Sequence, residues 1–166
     1  MKKIVVLAAA IAVCFGTAFA EKYVSANDLD VKTLTSNLTT EDGFVIHSTA
    51  DKAVKIEKHD PKASPSTVGN ETFTKRISMG GSGDRSTRSI SIKAKAGETL
   101  KVYAKSSADA ERVVNIMNQD GEVVASGPAG AKAAAIPEVK FKIPADGEYY
   151  IASKSSGIYI FEIILE

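Results

Sequence analysis

Leu100-Lys101-Val102-Tyr103-Ala104-Lys105 alternates apolar and polar side chains without a break, and that two-residue period marks a strand with one buried face. The same period recurs along the chain. Phe44 and Ile46 alternate with Val45 and His47, and Val54 and Ile56 with Lys55 and Glu57. Ile90, Ile92 and Ala94 alternate with Ser89, Ser91 and Lys93, and Val139, Phe141 and Ile143 with Lys140 and Lys142. Each run predicts an antiparallel strand facing a core on one side and water on the other. Ile158 to Leu165 is apolar on both faces apart from Glu162, which predicts a central strand buried on two sides.

Turn chemistry separates the runs. Glu41-Asp42-Gly43, Ala96-Gly97-Glu98, Gln119-Asp120-Gly121, Gly127-Pro128, Pro144-Ala145-Asp146-Gly147 and Ser155-Ser156-Gly157 all supply residues suited to tight reversals. Short strands between frequent turns predict two stacked sheets, an all-β antiparallel sandwich. Gly80-Gly81-Ser82-Gly83 reads as a wide hairpin turn, since no helix pattern and no Lys-Ser/Thr follows it as a phosphate loop would require. A helical turn is expected at Ser107 to Arg112, capped by Ser107 or Asp109. Ala129 to Ala135 and the proline-bearing stretch Asp60 to Asn70 read as loops, the second of them exposed. Residues 21–40 are weakly patterned and predict one edge strand.

The chain opens with Lys2 and Lys3, an apolar run from Ile4 to Phe15, and Ala18-Phe19-Ala20 ahead of the charged Glu21-Lys22. That order predicts a cleaved signal peptide over 1–20, too short in its apolar part to span a bilayer, followed by a single domain over 21–166. Export to the periplasm or beyond the cell is the consequence. Val13 is bulkier than the small residue expected before a lipid-modified cysteine, which argues against Cys14 as an attachment site. Cys14 is the only cysteine, so cleavage leaves no thiol to stabilise or catalyse anything. Cleavage also removes two lysines from a chain of formal charge +1, so nothing in its overall charge points to nucleic acid or an anionic membrane surface.

The only histidines, His47 and His59, lack partners at metal-ligand spacing, and they read as exposed or strand-edge residues. No pairing of nucleophile with base is visible, so no catalytic residue is nominated. Asp109, Glu111 and Asp120 lie in predicted turns. A structural calcium ion is the one metal they could hold, and solvated turn residues are the simpler reading. Two features could carry recognition. Lys93, Lys101, Tyr103 and Lys105, joined by Lys140 and Lys142, are expected to project from one sheet face, where cations and an aromatic ring suit an anionic sugar. Arg76, Arg88 and Arg112 either stitch the sheets, by bonding backbone carbonyls or pairing with Glu162 and Asp109, or form a fork for a uronate carboxylate.

Several stretches together resemble the jelly-roll accessory modules appended to bacterial pectate lyases and other secreted polysaccharide enzymes. They are Phe73-Thr74-Lys75-Arg76-Ile77-Ser78-Met79-Gly80-Gly81-Ser82-Gly83, Arg85 to Ile92, Gly97-Glu98-Thr99-Leu100, Asp120-Gly121, Gly147-Glu148-Tyr149-Tyr150-Ile151 and Gly157-Ile158-Tyr159-Ile160. With Asn37 to Ile46 the likeness runs over roughly 37–165. The C-terminal half also resembles bacterial pre-peptidase C-terminal domains. The resemblance implies a jelly-roll sandwich without catalysis that binds carbohydrate, with an acidic plant-type polysaccharide such as pectate as ligand. The module here has no attached catalytic domain, so a tethering role does not carry over. The rival class is a structural or protein-binding component of the cell envelope.

Overall fold

The computed structural model describes residues 20–166, so the expected signal peptide, Ala20 apart, lies outside the described residues. The strands are β1 (Lys22–Ser25), β2 (Lys32–Leu34), β3 (Leu38–Thr39), β4 (Val45–His47), β5 (Val54–Lys58), β6 (Thr67–Val68), β7 (Glu71–Thr72) and β8 (Lys75–Met79). They continue as β9 (Ser89–Ala94), β10 (Thr99–Ser106), β11 (Arg112–Met117), β12 (Val123–Ala129), β13 (Glu138–Lys142), β14 (Gly147–Ser153) and β15 (Ile158–Leu165). One sheet runs β13-β10-β15-β8-β5-β2, with β1 also paired to β15; the other runs β12-β11-β14-β9-β4-β3. We call these the first and second sheets.

Pairing is antiparallel between all named strands. Strands adjacent in sequence mostly do not pair. From β8 onward the chain passes to the opposite sheet at every step except the β11–β12 hairpin, so successive strands stack across the core. This is the all-β antiparallel sandwich that the periodicity and the turns predict, with the jelly-roll course that the resemblance implies. The residues marked apolar by that periodicity, among them Ile46, Ile56, Ile90, Leu100, Val102 and Ile158, fill the space between the sheets. Among the described residues no helix is long and apolar enough to cross a membrane.

Several expectations are corrected. No helix forms at 107–112: β10 and β11 lie in different sheets, and the chain between them bends, held by Ala108 N–H donating to Ser106 Oγ at 3.0 Å. Gly127-Pro128 is not a turn but part of β12, a terminal strand where a proline without an amide hydrogen is tolerated. Gly80 to Gly83 carries the chain from the first sheet to the second instead of closing a hairpin. Residues 21–40 hold three strands and a single 3₁₀ turn, Ala26–Asp28.

The largest correction concerns the stretch after β5. Asp60 to Asn70, expected as an exposed loop, keeps most of its side chains exposed but buries Ser64 and Ser66, because residues 59–74 form a strap across the outer surface of the first sheet with β6 and β7 as a small hairpin inside it. The strap's own His59, Ser64, Ser66 and Phe73 turn inward and are buried. A slip in register between Tyr103 and Ala104 leaves Phe161 of β15 unpaired with β10. Phe161 packs against Phe73 and His59, with ring centroids 5.5 and 5.1 Å apart. A satellite core therefore sits outside the sandwich, and β15 is buried on both sides at Phe161.

Candidate functional site

At one end of the sandwich the β8–β9 connection, the start of β11 and the β14–β15 turn enclose a cleft of about 490 Å³, lined by Gly80, Gly81, Ser107, Arg112, Ser156 and Tyr159 among others. Arg112 opens β11, where its Nη1 donates to the Gly157 carbonyl and to Ser107 Oγ. Of the two stitching arrangements expected, a backbone carbonyl or Asp109, Arg112 takes the carbonyl. Space at Gly157 is tight: a Cβ there would fall 2.9 Å from Ser107 Oγ and 3.3 Å from the Met79 carbonyl oxygen, so a larger residue would push on both. Tyr159 supplies the aromatic wall. The Arg76 guanidinium lies 3.8 Å from the centre of its ring and is held by Glu57, whose Oε2 accepts from Arg76 Nε and Nη2 at 3.1 and 3.0 Å. Glu57, directly across the β5–β8 ladder, is thus its ion partner in place of Glu162.

Arg88 reaches the same end from behind. It is the only residue other than glycine with positive φ among the described residues, at +51°, a conformation that costs an L-residue of order 1 kcal/mol. Its Nε is buried without a hydrogen-bond partner. A Cβ on Gly81 would fall 2.5 Å from Arg88 Nη1, so the guanidinium lies close against Gly81 in the wall of the cleft. Neither Arg88 nor Arg112 has a carboxylate within ion-pair distance among the described residues. The three arginines do not meet as one fork. Arg112 lines the cleft, Arg88 backs its wall, and Arg76 stacks on its ring.

The expected lysine face breaks up. Lys93 lies on β9 in the second sheet, opposite Glu148, whereas β10 belongs to the first. Lys105 is buried, because the strap covers it: its Nζ donates to Ser64 Oγ at 3.0 Å and to the Pro65 carbonyl at 2.7 Å. Burial lowers its pKa. Lys101, Tyr103, Lys140 and Lys142 do share the outer face, with Lys101 opposite Lys140 and Tyr103 opposite Glu138. That face is mixed in charge. Lys101 Nζ pairs with Glu166 at 2.7 Å, a bond that raises its pKa, and Tyr103 Oη donates to Glu138 at 2.6 Å. Burial and then Glu138 push the Tyr103 phenol upward.

One polar cluster escaped the sequence reading. On the outer face of the second sheet His47 Nε2 lies 2.8 Å from Ser91 Oγ, which donates to Glu148 Oε1 at 2.8 Å, while Tyr150 Oη donates to Glu148 Oε2 at 2.9 Å. The residue types are those of a hydrolytic triad, but the order is not. Ser91 stands between the imidazole and the carboxylate, is fully buried, and donates its hydrogen bond to Glu148, so it is not arranged as an activated nucleophile. The cluster fastens β4, β9 and β14 to one another. It was hidden because its members lie 44 and 57 residues apart. His59, expected at the surface, is buried under the strap. Among the described residues no three His, Cys, Asp or Glu side chains come together to hold a metal, and Asp109, Glu111 and Asp120 do not converge.

No family model and no curated protein sequence matches the chain. Solved structures with a similar course of chain include a family 35 carbohydrate-binding module from Clostridium thermocellum, at 10% identity and a TM-score of 0.45, covering 89% of this chain and 98% of that one. The CBM36-1 domain of a multidomain xylanase from the hindgut metagenome of Trinervitermes trinervoides aligns at 11% identity and a TM-score of 0.44, over 89% of this chain and 97% of that one. PliG of Aeromonas hydrophila, a periplasmic inhibitor of g-type lysozyme, aligns at 15% identity and a TM-score of 0.35, over 55% of this chain and 84% of that one. At such identities and scores these likenesses carry no weight for the ligand.

Proposed function

We propose that this is an exported, non-catalytic carbohydrate-binding sandwich, whose ligand is an acidic polysaccharide such as pectate held in the Arg112 cleft. One observation carries the reading: Arg112 lines this cleft beside the Tyr159 ring with no carboxylate within ion-pair distance among the described residues, and Arg88, likewise without one, lies behind Gly81 in its wall. A uronate offers what such a cleft lacks. Its carboxylate suits the Arg112 guanidinium, its hydroxyls suit Ser107 and Ser156, and its C–H face suits an aromatic ring. The orphan Nε and the left-handed backbone of Arg88 support this, since unpaired buried donors and stored strain gather at binding sites. The open half of the first sheet is the poorer candidate, because Lys101 and Tyr103 are already engaged by carboxylates.

The test is affinity electrophoresis of the protein in gels containing polygalacturonate, with a neutral glucan as control. Retardation by polygalacturonate alone is expected. Arg112→Lys and Arg88→Gln should each weaken it at least about tenfold, the loss of a charged hydrogen-bond pair, with the melting temperature little changed. Lys101→Ala with Tyr103→Ala should leave it intact. Equal migration in both gels would reject the ligand class, and loss with the Lys101/Tyr103 pair alone would move the site to the sheet face.

A further inference from the structure

A second concavity, also of about 490 Å³, lies far in sequence from the arginines, between β1, the residues after it and the β3–β4 turn. Its floor is apolar, made by Val24, Leu29 and Leu38, and Tyr23 stands on its rim 47% exposed. Four carboxylates line it, Asp28, Asp30, Glu41 and Asp42, against one cation, Lys32. None of these four has an ion partner among the described residues. The negative charge continues beyond the groove. Glu162, opposite Ser25 across the β1–β15 ladder, is half-buried and has no hydrogen-bond donor in the first sheet or the strap; burial, with Glu71, Glu21 and Asp28 nearby, raises its pKa.

The backbone around the groove is as telling as its charge. Among the described residues β1 pairs only with β15, β2 only with β5 and β3 only with β4, so each presents one edge unpaired among them, and each contributes lining residues. At β1 the Tyr23 amide, instead of meeting another strand, donates to Asp42 Oδ2 at 3.0 Å. Open strand edges are places where an extended chain adds main-chain hydrogen bonds. The His, Cys, Asp and Glu side chains here do not cluster tightly enough for a metal.

We propose that this groove docks an extended basic segment of a partner protein, with cationic side chains against Asp28, Asp30 and Glu41 and an apolar side chain on the Leu29–Leu38 floor. A peptide fits better than a cationic glycan, since only a peptide brings amide groups to pair with the strand edges. The site is independent of the arginine cleft and does not rest on the carbohydrate reading.

The experiment follows the fluorescence anisotropy of a labelled, acetylated octapeptide alternating arginine and valine, titrated with the protein from Glu21 to Glu166. Saturable binding is expected, at least about tenfold tighter than for the matching glutamate–valine peptide. The exposed pair Asp28→Lys with Asp30→Lys should weaken it at least about tenfold, and N-methylation of alternate peptide amides should do the same. Arg112→Lys should leave it unchanged. Equal affinity for the acidic peptide, or indifference to the Asp28/Asp30 reversal, overturns the site. Indifference to N-methylation, or equal binding of a chitosan hexamer, overturns the peptide as its occupant.

Discussion

Lys101 and Lys105 lie on the same face of the same strand, four residues apart, yet they belong to two different surfaces. Around Lys101 the outer face of the first sheet is open, and its charges answer one another pairwise, Lys101 with Glu166 and Tyr103 with Glu138. Around Lys105 the same face is roofed by the strap, and the ammonium group is spent on a serine hydroxyl and a carbonyl. The boundary is the register slip opposite Phe161, which turns an aromatic ring outward and gives the strap something to pack on. Exposure on a sandwich face is thus set less by the strand's own pattern than by whatever lies across it.

The sharpest way to break this contrast is to remove the packing that holds the strap down. Phe73→Ala deletes a fully buried ring and should cost about 3–5 kcal/mol in chemical denaturation. Limited proteolysis should then cut within 59–74 while the sandwich persists. An uncut strap in a folded variant would mean the satellite core is held by its hydrogen bonds alone.

The two lysines give the next largest effect. Lys105→Ala strands two acceptors and opens a void, and should cost about 2 kcal/mol or more. Lys101→Ala removes a surface ion pair and should cost less than about 1 kcal/mol. Equal costs, by denaturant midpoint at unchanged slope, would erase the distinction between the two halves.

Acidity sharpens the comparison more gently. His59 sits under the strap with Nε2 donating to the Ser64 carbonyl at 2.9 Å, and Arg76 Nη1 faces its Nδ1 at 3.5 Å. Burial chiefly lowers its pKa, with Arg76 and Lys105 acting the same way against the Ser64 carbonyl and Asp60. The folded protein therefore resists a proton that the unfolded chain accepts from about pH 6.5 downward. Stability should fall as pH drops from there to the lowered folded value, and His59→Gln should flatten part of that slope. His47, also lowered by burial, supplies the rest. Glu162 works in the opposite sense, since its raised pKa favours the folded state on acidification, so the wild-type and His59→Gln melting curves have to be compared at each pH.

Much of the scaffold was legible beforehand. The alternation in Leu100 to Lys105 and its counterparts picks out core residues, because a two-residue period cannot be buried on one side in any other way. The turns at Asp42-Gly43, Gly97 and Asp120-Gly121 appear where expected, each glycine at positive φ. The failures share a cause. Gly127-Pro128 and Gly80 to Gly83 carry turn chemistry, but whether such residues reverse a strand, end an edge or cross between sheets depends on which sheet receives the next strand. Arg112 bonds a backbone carbonyl, one of the partners expected for it, whereas the Glu57 partner of Arg76 was not foreseen, since Glu57 faces Arg76 only through the β5–β8 register.

Local chemistry repeated along the chain therefore determined that this protein is a stack of antiparallel sheets, with its inward residues named in advance. Which outward residues meet water, and which meet a strap, a carboxylate or one another, was decided only by the tertiary structure. The inward pattern is enforced at every second residue by exclusion of water. The outward contacts join residues well apart in the chain, such as Lys105 with Pro65, 40 positions away, or Ser91 with Glu148, 57 away, and no local signal encodes such a meeting.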